Sequence, residues 1–175
     1  RVVIEAQMEQ ADLELTEKKW VPAYNLFVKL EKRTRSDIKY PEILMGLVKT
    51  ELSRQKKHLA CKWARKLYSK YPHHTLTSSW TIDLQKAQVD GKPLECVAGV
   101  ADQKSRIRNL QLQGESDRAL KEIEELKGRA AALTMVHVDT LLATYYLNEG
   151  RVTEALNVLL PYYKKDSRDF GFFML

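Results

Sequence analysis

Apolar and small residues recur along this chain at the three- and four-residue spacing of amphipathic helices, and the runs come in pairs. The clearest pair occupies residues 136–165, where Leu142, Ala143 and Tyr146 precede Gly150, and Ala155 and Leu159 follow it. A second copy, RNLQLQGESDRALKEIEEL, sets Leu110, Gly114, Ala119, Ile123 and Leu126 at matching offsets. Upstream, Val3, Ala6, Ala11 and Leu13 give an imperfect stripe over 2–17. Pro22 then fits a helical first turn, where its missing N–H breaks no bond. Ala23, Leu26, Phe27 and Leu30 continue that helix. After the polar connector 32–39, Pro41 opens a third helix lined by Ile43, Leu44, Leu47, Val48 and Leu52. A fourth carries Ala60, Ala64, Leu67 and Tyr71 and closes at Pro72. Further helices are expected at about 101–113, 116–128, 134–148 and 152–164, with Gly114 and Gly150 as left-handed terminators.

An alanine recurs early in the second helix of each pair: Ala23, Ala60, Ala119 and Ala155, spaced by 37, 59 and 36 residues. A small residue lets two helix backbones approach closely while larger neighbours interlock. The long interval is one repeat plus an insertion near 77–100. There Trp80, Ile82 and Leu84 alternate with polar residues, and Asp90-Gly91 is a tight-turn dipeptide. A helix from Thr81 to Gln88 followed by a loop is preferred over a short hairpin, because a lone hairpin is marginal. The expected organisation is two helix pairs in 1–76, an irregular connector at 77–100 and two pairs in 101–175.

Composition supports an ordered helical protein: 44% hydrophobic and 30% charged, with 7 Gly and 5 Pro. No apolar run approaches the roughly 20 residues that span a bilayer. The chain opens at Arg1 without a targeting pattern, so its native terminus is expected upstream, and compartment stays open between cytoplasm and periplasm. Residues 1–87 hold 17 Lys/Arg against 10 Asp/Glu, whereas 88–175 hold 12 against 13. The excess peaks between Arg54 and Lys70, where seven cations meet no acidic residue in the sequence; such a field favours an acidic partner. Cys61 and Cys96 form no metal or redox motif. Cys61 reads as a small apolar core residue, with a disulfide an option only in an oxidising compartment.

Taken together, these residues resemble the tetratricopeptide-repeat family. With Val136 first, Ala143, Tyr146 and Ala155 stand at the family's small, aromatic and alanine positions, and Gly150 marks its turn. Ala60, Leu67 and Pro72 match a second repeat, Ala11, Ala23 and Phe27 another, and Gly114 with Ala119 a third. Val48 and Ile107 replace the expected small residue. The resemblance implies an all-α fold: a right-handed superhelical stack of about four antiparallel helix pairs, an α-solenoid whose first helices line a concave groove for a peptide or protein. The groove positions are then Met8, Asp12, Met45, Lys49, Lys104, Arg108, Thr140, Thr144 and Asn148, with Lys57, Lys62 and Lys66 on the basic face. The family's carboxylate-clamp positions hold Met8, Asp12, Gly46, Ala101 and Ser105, so that clamp is absent.

Catalytic signatures are missing from the sequence: there is no GxGxxG or GxxxxGK[ST] loop, and His73-His74 lacks the ligand set of a zinc site. Glu122, Glu124 and Glu125 sit among Lys and Arg, where surface i,i+4 pairing explains them. The expectation is a non-catalytic protein–protein interaction scaffold without cofactor or metal. Its partner is a protein or peptide of acidic character; nucleic acid is disfavoured, and the apolar tail DFGFFML offers a route to self-association. Two alternatives remain open. One is the helical accessory domain of a larger enzyme such as a bacterial lytic transglycosylase; the other is an RNA-binding helical repeat.

Overall fold

The computed structural model describes residues 2–34, 38–128 and 132–163. Among them lie eight helices: α1 (Val2–Thr16), α2 (Trp20–Arg33), α3 (Tyr40–Ser53), α4 (Lys57–Lys70), α5 (Val100–Leu112), α6 (Ser116–Lys127), α7 (Ala132–Asn148) and α8 (Val152–Tyr163). The strands are two short ones, β1 (Gln88–Val89) and β2 (Lys92–Pro93), paired antiparallel. Among the described residues the fold is all-α apart from this hairpin. No described helix is long and apolar enough to cross a membrane. Contacts divide the chain into two compact units, Arg1–Ala98 and Gly99–Leu175.

Four turns share one geometry. In each, the middle residue lies in the left-handed region: Lys18 at φ 61°, Gln55 at 59°, Gly114 at 78° and Gly150 at 74°. The residue after it donates its N–H five residues back, Lys19 to Glu14 (2.8 Å), Lys56 to Glu51 (2.8 Å), Glu115 to Leu110 (2.9 Å) and Arg151 to Tyr146 (2.8 Å). These bonds satisfy carbonyls that a helix end otherwise leaves orphaned. Each turn lies five residues before one of the recurring alanines, and Ala23, Ala60, Ala119 and Ala155 are all buried. The glycine terminators were expected at Gly114 and Gly150. Lys18 and Gln55 adopt the same conformation without glycine's freedom.

In the first unit, α2 packs on α1 and α3, and α3 on α4. Phe27 from α2 meets Gly46 of α3 so closely that a Cβ on Gly46 would fall 2.3 Å from its ring. Here Gly46 supplies the small residue, two positions before the bulky Val48. The 77–100 segment, expected as an irregular joint, contributes Trp80, Leu84, Ala87, Val89, Leu94 and Cys96 to the first unit's core. The helix expected over 81–88 does not form. A single 3-10 turn at Leu84–Lys86 is followed by the hairpin, with Asp90 (φ 50°) and Gly91 (φ 74°) at its tip. The alternation of Trp80, Ile82 and Leu84 buries all three, which rewards an extended chain over a helix that would expose part of them. Tyr68 secures the segment by donating its hydroxyl to the Ile82 carbonyl at 3.0 Å.

Cys61 and Cys96 are bonded, with their Cα atoms 5.4 Å apart. Cys61 is therefore not a free apolar residue: the folding of 77–98 against α4 delivers its partner from 35 positions away.

In the second unit, α6 and α7 pack on α5 and on each other, and α8 packs on α7. Its core holds a polar feature that the sequence reading placed on the surface. Arg106, fully buried, donates Nε to Glu122 Oε2 at 2.7 Å and an Nη to Oε1 at 2.8 Å. Arg118 adds a third bond to Glu122 at 3.2 Å. The guanidinium's planar fork suits this two-oxygen grip, and the buried charges stay compensated.

Candidate partner-binding site

The basic run from Arg54 to Lys70 meets acids that lie outside it, one close by and two from distant parts of the chain. Arg54 lies 3.3 Å from Glu51, Lys57 2.7 Å from Glu95, and Lys66 2.7 Å from Glu31. The expected field of seven uncompensated charges is thus corrected: Arg54 has a partner three residues back, and Lys57 and Lys66 have partners that local sequence could not reveal. The run also splits by face. Lys57 points toward the hairpin segment, while Lys62 and Lys66 lie over the Trp63 ring at 5.1 and 5.8 Å. Lys66 is held further by the Tyr40 ring at 5.1 Å, and the Tyr40 hydroxyl donates to the same Glu31 oxygen. Burial pushes the Tyr40 hydroxyl above its ordinary pKa. Lys66 therefore fastens α4 to α2 and is a structural cation.

Lys49 and Lys57 do converge, around the hairpin. Lys49 pairs with the tip residue Asp90 at 3.0 Å, and the Lys57 ammonium holds the exposed Glu95 carboxyl below the usual carboxylate range. Between them runs a cleft floored by Leu15, Trp20, Leu52 and Val89 and continuing to Lys92 and Pro93. Lys92 is the residue that sequence reasoning missed, because the hairpin register alone brings it here. Met8 is half-buried, and Met45 is only 7% exposed and belongs to the core, so Met45 offers a partner little surface. Asp12 is exposed on α1; crowding by protein atoms raises its carboxyl pKa while Lys49 opposes the shift.

In the second unit, Arg108 and Asn148 line one shallow cleft with Gln111, Leu112 and Glu149. Asn148 donates to the Gln111 side-chain oxygen at 2.9 Å, and Gln111 donates to Glu149 at 2.8 Å. Ser116 also donates to Glu149 at 2.8 Å, and these bonds lower the Glu149 carboxyl's pKa. Thr140 and Thr144 spend their hydroxyls on carbonyls four residues back in α7. Lys104 stands near His137, whose imidazole pKa is lowered first by burial and then by that charge. The groove positions of this unit are thus divided between a small polar network and side chains satisfied within their own helix. The phenylalanines of the tail, Phe170, Phe172 and Phe173, lie outside the described residues.

No protein-family model matches the chain, and no curated protein or solved structure does either.

Proposed function

We propose that this chain is a non-catalytic interaction scaffold of the tetratricopeptide type, a stack of helix pairs that captures an acidic peptide or protein segment. The observation that supports the repeat reading is the fourfold recurrence of one turn, left-handed residue and buried alanine included. The seat for the partner is the cleft beside the hairpin, where Lys49, Lys57 and Lys92 surround an apolar floor of Trp20, Leu52 and Pro93. Asp90 and Glu95 already occupy two of these cations, both at exposed positions where an ion pair contributes little. An incoming carboxylate therefore exchanges for them at small cost, and the apolar floor supplies the surface area that sets affinity. Reversing Lys57 and Lys92 to glutamate is expected to weaken binding of a glutamate-rich peptide by about tenfold or more and to flatten its salt dependence. Equal affinity for the reversed protein, with helix content intact by circular dichroism, would return the site to the polar cleft of the second unit.

A second reading is favoured by the Cys61–Cys96 bond. Structural disulfides persist in oxidising compartments such as the periplasm, which suits the helical accessory domain of an extracytoplasmic enzyme resembling a lytic transglycosylase. Mass analysis after alkylating the protein in intact host cells tests this. Two alkylated cysteines would place the chain in a reducing compartment and remove the reading.

A further inference from the structure

The Cys61–Cys96 bond and the Lys57–Glu95 ion pair join the same two stretches of chain. On α4, Lys57 and Cys61 lie one helical turn apart and so share a face. On the returning segment Glu95 and Cys96 are neighbours, so the covalent bond sets the acid opposite the cation, 2.7 Å away. The backbone of Glu95 lies in the left-handed region at φ 53°, which a non-glycine residue seldom adopts. The residues on either side of it are buried. Leu94, 1% exposed, donates its N–H to the Ala87 carbonyl at 2.9 Å. Cys96, also 1% exposed, is cross-linked. Glu95 itself is exposed, and so is Val97 beyond the bond. Leu94 thus anchors the near side of Glu95 without help from the sulfurs; on its far side the tie to α4 is the cross-link.

We propose that the redox state of this bond gates the cleft beside the hairpin: oxidised, Cys61–Cys96 keeps Glu95 on Lys57 as a built-in competitor of the acidic partner, and reduction withdraws it. The proposal rests on the cleft being the partner's seat and adds the regulation of that seat. Lys57 lines the cleft with Leu52, Lys92 and Pro93. While the bond is closed, a carboxylate tethered one residue from the cross-link meets Lys57 at a far higher effective concentration than a free peptide does. The reductant is a dithiol. Its thiolate attacks Sγ of the half-buried Cys61 and expels the Cys96 thiolate, which takes up a proton. The reductant's second thiol then attacks the mixed disulfide, closes the reductant into a cyclic disulfide and frees Cys61 as a thiol. Two electrons and two protons have then passed to the protein. Glu95 is now anchored through Leu94, and its backbone relaxes from the left-handed region, which swings the carboxylate away from Lys57. The rest of the cleft stays. Val89 and Leu94 remain in the core, the pairing of β2 with β1 holds Lys92, and the Lys49–Asp90 pair lies at the other end of the hairpin.

The affinity of the full 175-residue chain for a glutamate-rich peptide, measured by calorimetry before and after reduction with dithiothreitol, tests the gate. Reduction is expected to tighten binding by about two- to fivefold, the range that an exposed ion pair allows. Glu95→Gln, with the bond intact, is expected to gain the same factor and then to show no response to reduction. This variant keeps the gate falsifiable if the reduced chain loses helix content. Unchanged affinity on reduction and in Glu95→Gln, with Lys57→Glu still weakening the peptide, would overturn the gate and leave the cleft as the seat. A gain on reduction that Glu95→Gln neither reproduces nor abolishes would overturn it too. A second readout needs no peptide. In the oxidised chain Lys57 holds the Glu95 carboxyl below its ordinary range, and after reduction its titration by NMR is expected to return to that range. A carboxyl that stayed depressed would overturn the release of Glu95 whatever the peptide does. Peptide binding in neither form would remove the seat and, with it, the gate.

Discussion

The two units end their helices with the same turn but with different residues at its left-handed position. The second unit uses Gly114 and Gly150, whereas the first places Lys18 and Gln55 there. An L-residue in that conformation costs roughly 1–2 kcal/mol, so the first unit holds its turns against a penalty that the second avoids. What offsets the penalty is visible in the surroundings. The first unit has a continuous apolar core running from Ala11 through Phe27 and Leu47 to Leu94, and the Cys61–Cys96 bond ties its last segment down. The second lacks a disulfide among its described residues and devotes part of its interior to the Arg106–Glu122 pair. Turn geometry here is imposed by the packing of the alanine and by the hydrogen bonds behind it; glycine only makes it cheaper.

The strongest way to break this contrast is to attack the second unit's buried charge. Arg106→Met leaves Glu122, among the described residues, only the half-buried Arg118 at 3.2 Å as a partner and is expected to cost up to about 3 kcal/mol, while adding Glu122→Leu restores most of that. Denaturant midpoints decide it; equal losses for the single and double variants would mean that the pair is not the polar centre of the unit. The corresponding experiment on the first unit removes its cross-link. Cys61→Ala with Cys96→Ala opens a loop of 35 residues, with an expected loss of about 2–4 kcal/mol. That loss should appear as faster amide exchange in residues 77–98 and leave the second unit unchanged.

A smaller effect sharpens the comparison at the turns themselves. Lys18→Gly and Gln55→Gly relieve the left-handed penalty but loosen the unfolded chain by about 0.5–1 kcal/mol. Each should therefore stabilise by a net ~0.5–1 kcal/mol, and Gly114→Ala or Gly150→Ala should destabilise by a similar amount. A melting temperature that fell on Gln55→Gly would show that the glutamine side chain, and not the backbone, matters there. The smallest expected effect is confined to high pH. The Tyr162 hydroxyl donates to Asp139 at 2.6 Å, and burial followed by that bond pushes its pKa up to about 12. Because the folded value exceeds the unfolded value near 10, the contribution is complete below pH ~10 and is lost as pH rises toward 12. Tyr162→Phe should remove this alkaline loss from the stability profile of the second unit.

Most of the helical layout was legible in the sequence. Alanines, prolines and the two turn glycines act locally, and local signals survive without a fold. The features that escaped are those created by chain return. Glu31 lies 35 positions from Lys66 and Glu95 lies 38 from Lys57, so the basic run looked bare. Lys18 and Gln55 carry no conformational signature of their own, and the first two turns were placed from the flanking periodicity alone. Glu122 resembled any other acid on a charged helix until the α5–α6 packing buried it against Arg106. The 81–88 segment went to the wrong element because its alternation was weighed against the weakness of a lone hairpin. The hairpin is not alone: it is backed by α3 and α4 through Lys49, Lys57 and Cys61.

The Cys61–Cys96 bond also governs how the chain bears load. Tension applied along the backbone passes from α4 directly across the sulfurs, so the 35-residue detour through the end of α4 and the hairpin stays outside the force path. Roughly 120 Å of extended contour is thereby withheld while the bond is intact. A partner or membrane-tethered neighbour pulling on the two ends would meet a shorter, stiffer tether than the residue count suggests, and reduction would release the slack in a single step.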